Sequence, residues 1–286
     1  MKPGRQPHQR NSLNKLLLLD FDGTLCLGDD PVLAYARTVD SALQLKGLHD
    51  ALPHPVTAIV TEAFAQDTLL VEEIEYDDAG VPLAASYERD GVTPSGTSAA
   101  KAHPTSWPLQ DGYQLVQLLA VQAGLSNEDA GHAFRAARRE LVGRGLQHTD
   151  LHAPEGAVEL LEELRGCRCA IVLVTNSPEE GFGVWLQALG LQGSFDEVIN
   201  SAQKPFGMPA AVQRARQAVS ASAPEQSILS VGDIWANDLA HVDELGGETI
   251  LIDRFGTGLG EPAHRVRSFA EATPLIRRWS GWTQFS

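Results

Sequence analysis

The chain of 286 residues has little cysteine, a deficit of positive charge and no apolar run of membrane-spanning length. Its three cysteines are too few, and odd in number, for a disulfide framework, which favours a reducing compartment. Lysine and arginine total 22 against 37 aspartates and glutamates, so the formal net charge is −15. This balance argues against nucleic acid or an anionic membrane as a main partner, because both require basic surface.

The apolar runs of the chain are too short for a membrane span or a secretion signal. The leucines at residues 16–19 fall far below the roughly 20 apolar residues that cross a bilayer, and the polar residues 1–14 lack the apolar core of a secretion signal. We therefore expect a soluble, cytoplasmic protein with a disordered tail at residues 1–13. A hydrophobic fraction of 43% and a charged fraction of 21% are typical of a globular chain with a sizeable core.

The second half of the chain alternates strand-like and helix-like patterns, which indicates an α/β fold with a parallel sheet. Continuous apolar runs predict buried strands, at residues 16–19, 169–174, 197–199, 228–231 and 249–252. Apolar residues at helical spacing predict helices, at residues 154–165, 183–189, 209–219, 236–245 and 268–279.

Residues 29–149 break this alternation. Helical patterns occur at residues 31–48, 112–124 and 127–142. Between them, residues 52–108 are rich in proline, glycine, threonine and serine and lack a clear period, although 70–76 and 82–87 could pair as a hairpin across 77–80. We interpret 29–149 as a mainly helical cap inserted into a core formed by 14–28 and 150–286. The alternative is a second domain with no role at the site.

Two carboxylates, Asp20 and Asp22, follow the leucine run in the sequence Asp-Phe-Asp-Gly-Thr-Leu. This places them at the carboxyl end of a parallel strand, the edge at which ligands bind in open α/β sheets. Gly23 permits a sharp backbone turn. Acids this close repel each other unless a cation or a proton relieves them. The arrangement therefore indicates a metal, acid–base chemistry, or both.

Polar residues follow the later strands too. The list comprises Thr175, Asn176, Lys204, Asp233, Asn237 and Asp238. Each has an ordinary structural explanation when taken alone: a threonine or asparagine after a strand caps a helix, a lysine before proline is a solvated loop residue, and an aspartate can begin a helix. Their order along the chain is the stronger signal.

In that order, Asp-x-Asp, Thr, Lys and Gly-Asp-x-x-x-Asn-Asp resemble the four motifs of the haloacid dehalogenase (HAD) superfamily. The resemblance covers residues 15–25 and about 154–252. It implies a Rossmann-like core and phosphoryl transfer, in which Asp20 is the nucleophile and Asp22 the general acid–base. Lys204 departs most from the pattern, because Phe206-Gly207-Met208 is an unusual continuation.

The same resemblance implies the remaining roles. Thr175, Asn176 and Lys204 would bind phosphate, and Lys204 would also hold the nucleophile. Mg²⁺ would be held by the side chains of Asp20 and Asp233 and the backbone carbonyl of Asp22, since Mg²⁺ prefers oxygen ligands. Asn237 and Asp238 would support this site.

Dehalogenases of this superfamily lack the second aspartate of the first motif, so Asp22 favours phosphoryl chemistry. The position of the insertion resembles a C1-type cap, which favours a small phosphorylated metabolite as substrate. We expect a Mg²⁺-dependent phosphatase. A phosphotransferase such as a sugar-phosphate mutase would use the same residues, and a non-catalytic binding module is the third alternative. The preferred ester and the oligomeric state stay open.

Overall fold

A computed structural model describes residues 14–76, 82, 109–167, 169–217 and 228–281. The predicted disordered tail, residues 1–13, lies outside the described residues. The chain divides into two compact units, one formed by residues 1–27 and 151–286 and the other by residues 28–150.

The described residues form six strands and nine α-helices. The strands are β1 (Lys15–Leu19), β2 (Cys169–Val174), β3 (Glu197–Ile199), β4 (Ile228–Gly232), β5 (Glu248–Ile252) and β6 (His264–Val266). The helices are α1 (Asp30–Leu45), α2 (Val56–Ala65), α3 (Gly112–Gln122), α4 (Asn127–Arg144), α5 (Ala157–Gly166), α6 (Phe182–Ala188), α7 (Met208–Arg216), α8 (Ala240–Glu244) and α9 (Phe269–Ser280). None of these nine helices is both long enough and apolar enough to cross a membrane.

The strands of the first unit form one sheet in the order β3-β2-β1-β4-β5-β6, and all five neighbouring pairs are parallel. Helices cover both sides of this sheet, so the predicted Rossmann-like parallel core is confirmed. At the centre, Leu16 of β1 is in register with Ala170 and Ile228. Parallel pairing therefore brings the carboxyl ends of β1, β2 and β4 to one edge.

The central strands owe their position to apolar burial. The side chains of Leu17 and Leu18 are 0% and 1% exposed, and burial of one leucine contributes about 2 kcal/mol. One side of the sheet packs on α7 through Met208 and Val212. Because both faces of β1 are covered, a continuous leucine run suits it better than an alternating pattern.

The second unit contains α1 to α4. Helix α1 packs against the other three helices. Three aromatic rings of this unit contact one another. The ring of Tyr35 stacks on Tyr113 with centroids 6.4 Å apart, and Phe134 meets both edge-on at 5.6 and 5.7 Å. The helices predicted at 31–48, 112–124 and 127–142 correspond to α1, α3 and α4.

Two aspartates distant in sequence cap helices of this unit. The carboxylate of Asp150 accepts hydrogen bonds from the backbone N–H groups of Asp29 and Asp30 at 2.7 and 3.1 Å. The carboxylate of Asp40 accepts from Val56 and Thr57 at 2.7 and 3.0 Å. These bonds satisfy N–H groups that have no partner inside a helix. Asp150 thereby joins the two ends of the inserted unit.

The structure corrects the interpretation of residues 52–108. Helix α2 occupies part of this segment, although no helix was predicted there. The first predicted hairpin strand, 70–76, is wrong, because the chain turns where Ile74 N–H donates to the carbonyl of Val71. The Tyr76 hydroxyl binds the backbone of Leu69 and Val71. A single bridge pairs Tyr76 with Pro82, and the rest of the predicted second strand lies outside the described residues.

Candidate active site

Asp20 lies directly after β1. Its backbone N–H donates to the carbonyl of Val231 at 3.0 Å, which extends the β1–β4 pairing by one residue. The chain then turns, because the N–H groups of Leu25 and Cys26 both donate to the carbonyl of Phe21, at 2.9 and 2.8 Å. Gly23 has φ +81° in this turn, a left-handed conformation that glycine adopts readily.

Lys204 joins two of the predicted carboxylates. Its Nζ donates to Oδ1 of Asp20 at 2.5 Å and to Oδ1 of Asp238 at 2.6 Å. The three side chains are buried, with 4 to 9% exposed. The lysine that departed most from the sequence pattern thus contacts the predicted nucleophile, as expected from the family resemblance.

The Asn176 side chain positions the backbone of Lys204. Its Oδ1 accepts from Lys204 N–H at 2.7 Å, and its Nδ2 donates to the Lys204 carbonyl at 3.1 Å. A Cβ at Gly207 would lie 1.7 Å from the carbonyl oxygen of Ala202. Only glycine fits this tight turn, which explains the unusual Phe206-Gly207 continuation in local steric terms.

Asp22 contacts a residue that the sequence interpretation did not assign to the site. Oδ2 of Asp22 accepts a hydrogen bond from the hydroxyl of Ser177 at 2.6 Å. Ser177 N–H in turn donates to Oγ1 of Thr175 at 3.0 Å. The only sequence signal for Ser177 was its place two residues after Thr175 at a strand end. The Thr175–Ser177 segment therefore connects the end of β2 with the turn after β1.

Asp233 precedes a wide helical turn, a π-helix at Trp235–Leu239, and Asp238 lies within it. Oδ2 of Asp238 accepts from the backbone N–H of Ile234 at 3.0 Å, which closes the turn. Carboxylate oxygens of Asp20, Asp233 and Asp238 lie within 4.8 Å of one another. Asn237, which precedes Asp238 in the chain, is buried, and its Oδ1 has no hydrogen-bond partner among the described residues.

A family model for haloacid dehalogenase-like hydrolases matches residues 14–240. The chain belongs to this family. The match includes every candidate site residue, from Asp20 to Asp238. A sequence search against curated proteins finds no match.

Solved structures of HAD-type proteins share the fold over nearly the whole chain. An inferred phosphoglycolate phosphatase from Lactobacillus plantarum has a TM-score of 0.52 at 14% identity, covering 92% of this chain and 99% of that one. The inferred HAD-hydrolase YfnB from Bacillus subtilis, bound to magnesium, has a TM-score of 0.51 at 16% identity, covering 93% and 99%. At these identities the similarity shows the fold alone.

The buried charges of this HAD site alter its acid–base behaviour. Burial raises the pKa of Asp20 to about 7, since loss of hydration outweighs the attraction of Lys204, and the charge of Asp238 adds to the rise. Burial by itself would lower the pKa of Lys204, but the two carboxylates outweigh it and the pKa is raised. The lysine therefore stays charged, while the carboxylates would gain from a further cation.

The chain offers suitable ligands for Mg²⁺. A Cβ at Gly23 would lie 1.9 Å from Oδ2 of Asp233, so the turn after β1 approaches this carboxylate as closely as glycine permits. Hard carboxylate oxygens are the donors that Mg²⁺ prefers. The donor set fits the metal expected from the resemblance. Asp238 lies in the same carboxylate cluster and accepts a hydrogen bond from Lys204, and the Asp22 side chain binds Ser177, so the expected ligand of Asp22 is its backbone carbonyl.

The structure brings together residues from four separate chain segments of this HAD core. Asp20, Lys204, Asp233 and Asp238 form the charged centre, and Asn176 holds the lysine loop. Thr175 is buried next to Ser177, and its role in phosphate binding stays a prediction.

Proposed function

We propose that this HAD-family hydrolase is a Mg²⁺-dependent phosphatase that hydrolyses a small phosphomonoester through an aspartyl-phosphate at Asp20. The observation that carries the proposal is the salt bridge of buried Lys204 with Asp20, two residues before the carboxylate of Asp22. Lys204 holds Oδ1 of Asp20, so the orientation of the carboxylate is set for attack by Oδ2. Such fixing is what a weak carboxylate nucleophile requires.

Asp22 is proposed to transfer the proton in both steps. In the first, Asp20 Oδ2 bonds to phosphorus, the P–O bond to the alcohol breaks, and protonated Asp22 donates its proton to the leaving oxygen. In the second, Asp22 carboxylate takes a proton from water as the water oxygen bonds to phosphorus and the bond to Asp20 breaks. This two-step use of one acid–base leaves it in its starting state. The hydrogen bond from Ser177 supports the role, because it orients this carboxylate.

The metal and phosphate contacts complete the proposal. The Asp20 and Asp233 side chains and the Asp22 backbone carbonyl would hold Mg²⁺, with Asp238 and Asn237 as supporting residues. Bound there, Mg²⁺ supplies positive charge that stabilises the transferring phosphoryl group. Lys204 adds a second positive charge, and Thr175 and Asn176 are the proposed phosphate contacts at the end of β2.

We propose a small phosphorylated metabolite as substrate, selected by the unit of residues 28–150. Its insertion directly after Asp22 supports a capping role. Within the part of the chain that the structure describes, none of the three cysteines forms a disulfide, which supports a cytoplasmic location.

The test is phosphate release from a panel of phosphomonoesters, measured with Mg²⁺ and with EDTA. We expect release that requires Mg²⁺ and is abolished in Asp20→Asn. The control is Asp50→Asn, since the side chain of Asp50 is 94% exposed and lies in the other unit; this variant should keep full activity.

Two outcomes would contradict the proposal. Normal release by folded Asp20→Asn would exclude the mechanism. No release from any ester by folded wild-type protein would shift the assignment to a phosphotransferase. That alternative predicts an isomerised product when a sugar phosphate is supplied with a bisphosphorylated activator.

A further inference from the structure

The loop that joins β5 to the edge strand β6, residues 253–263, is held by several side-chain hydrogen bonds. The buried carboxylate of Asp253 accepts from Thr257 N–H at 2.8 Å, from Thr257 Oγ1 at 3.0 Å and from Gly258 N–H at 2.9 Å. At the far end, Ala263 N–H donates to Oγ1 of Thr249 at 2.9 Å. Thr249 belongs to β5 and Asp253 directly follows it, so both ends of the loop are anchored at β5.

Arg265 fixes the middle of the same loop. Its Nη1 donates to Oδ2 of Asp253 at 2.7 Å. Its Nη2 points at three successive carbonyl oxygens, those of Gly258, Leu259 and Gly260, at 3.2, 3.1 and 2.7 Å. One guanidinium thus ties the loop backbone to Asp253. Such charge-assisted bonds are about twice as strong as neutral ones.

The backbone of the constrained loop packs closely against Trp235, which lies two residues after Asp233 in the chain. A Cβ at Gly260 would lie 2.4 Å from Cγ of Trp235 and 2.6 Å from its Cβ. No side chain fits between the loop and the indole. By contrast, Gly258 also has positive φ, +72° against +83° for Gly260, but a Cβ there would meet no atom within 4 Å.

Trp235 lies two residues after Asp233 and begins the π-helix that contains Asp238. The turn is closed by the hydrogen bond from Ile234 N–H to Asp238 Oδ2, one residue before the tryptophan. A displacement of the indole would therefore move the backbone that sets the spacing of the two carboxylates.

We propose that loop 253–263 is a brace that acts on Trp235, and that Trp235 is a positioning residue for the carboxylates of Asp233 and Asp238 at the proposed metal site. The inference rests on the metal site of the proposed function and deepens it. Groups that orient metal ligands from outside the coordination shell commonly change metal affinity, by 10- to 100-fold when mutated. The brace would influence Mg²⁺ affinity through its packing against Trp235.

The test compares Gly260→Ala with Gly258→Ala in the full-length protein. Each variant places a Cβ at a left-handed position, so the backbone strain is similar, but only Gly260→Ala contacts Trp235. Mg²⁺ affinity is measured by calorimetric titration without substrate, and folding by thermal unfolding in EDTA. We expect Gly260→Ala to weaken Mg²⁺ binding on the order of tenfold, and Gly258→Ala to leave it within about twofold.

A third variant, Trp235→Leu, keeps the inference testable if Gly260→Ala does not fold. It removes the indole without adding a clash, and it should also weaken Mg²⁺ binding. In the Trp235→Leu background the further change Gly260→Ala should have little effect, because the contact that transmits it is gone. Equal Mg²⁺ affinity in Gly260→Ala and Gly258→Ala, or full affinity in Trp235→Leu, would overturn the brace.

Titration of the wild-type protein with Mg²⁺ distinguishes failure of the brace proposal from failure of the proposed function. If wild-type protein binds Mg²⁺ and shows Mg²⁺-dependent phosphate release while the variants retain its affinity, only the brace is wrong. If wild-type protein binds no Mg²⁺, the proposed metal site itself is wrong.

Discussion

The hydroxyl of Ser177 donates a 2.6 Å hydrogen bond to Oδ2 of Asp22, across 155 residues of sequence. Ser177 is completely buried, and its backbone N–H is bound to Oγ1 of Thr175. The hydroxyl is thus held in place and orients one carboxylate oxygen of the proposed acid–base. Ser177 could orient Asp22 or bind the phosphate of the substrate, and a substitution of Ser177 distinguishes these two roles.

Replacement Ser177→Ala should slow hydrolysis of an alkyl phosphate by about 10- to 100-fold, because small errors in the placement of a catalytic group are costly. An aryl phosphate with an acidic leaving group needs little protonation, so its cleavage should slow less. The measurement is the single-turnover rate of alcohol release from each ester, which reports cleavage of the ester and not the later hydrolysis of the aspartyl-phosphate. The control is Ser280→Ala, another buried serine, whose hydroxyl binds the Arg277 carbonyl in α9. Equal losses on the two esters would instead assign Ser177 to phosphate binding.

Replacement Asp22→Asn removes the proposed acid–base and leaves the nucleophile. Turnover should fall by about 10²-fold or more. With an aryl phosphate the first step can still proceed, whereas hydrolysis of the aspartyl-phosphate lacks its base. Phosphoenzyme should therefore accumulate, and mass spectrometry of acid-quenched protein would detect it. Unchanged turnover without trapped phosphoenzyme would contradict the role of Asp22.

Lys204 and Lys46 form equally short ion pairs in different surroundings. Each Nζ lies 2.5 Å from a carboxylate, but the Lys204 side chain is 4% exposed and that of Lys46 is 48% exposed. Lys204→Met leaves Asp20 and Asp238 buried without their shared cation, and should lower the free energy of unfolding by about 3 to 5 kcal/mol at pH 8. Lys46→Met should lower it by less than about 1 kcal/mol.

Urea unfolding of the two lysine variants in EDTA checks this difference. Addition of Mg²⁺ should restore part of the loss in Lys204→Met and none in Lys46→Met, since only the first leaves carboxylates of the proposed metal site without their cation. Equal destabilisation of both variants would show that the Lys204 pairs have no special energetic role.

The lowered pKa of Asp253 should make the free energy of unfolding depend on pH. Burial works to raise the pKa of Asp253, but hydrogen bonds from Gly258, Thr257 and Arg265 outweigh it and hold the pKa below its usual range. A lowered pKa in the folded state means that folding favours the carboxylate. This contribution is fully present above the unfolded-state value of 3.8 and is lost as the pH falls through the lower folded value.

Replacement Asp253→Asn should therefore lower the free energy of unfolding by roughly 1 to 3 kcal/mol at pH 7. The difference from wild-type protein should shrink when the pH is lowered to about 3.5. Denaturant unfolding at a series of pH values measures it, with Asp50→Asn as the exposed control. A difference that stays constant over this range would show that the Asp253 charge does not contribute.

Much of the fold could be predicted because burial leaves a local signal. The strands β1 and β2 are continuous apolar runs, and their predicted bounds agree with the structure to within one residue. Strand β6 (His264–Val266) was not predicted. Its residues are half-buried or exposed, and two of the three are polar, so edge pairing with β5, rather than an apolar pattern, decides its conformation.

Helix α2 was missed for a different reason. Its start follows a proline-rich segment, and its first N–H groups are capped by Asp40, which lies 16 and 17 residues earlier in the chain. A cap supplied from a distance has no local sequence signature. Tertiary structure therefore decided where this helix begins.

By itself, the sequence determined the family, the parallel core and the identity of the charged residues, since apolar runs and motif order are local properties of the chain. The tertiary structure alone decided which of those charges meet. It placed Lys204 between Asp20 and Asp238, joined Ser177 to Asp22 and set Gly260 against Trp235. These contacts depend on parallel strands delivering distant segments to one sheet edge, where low hydration strengthens each charge interaction.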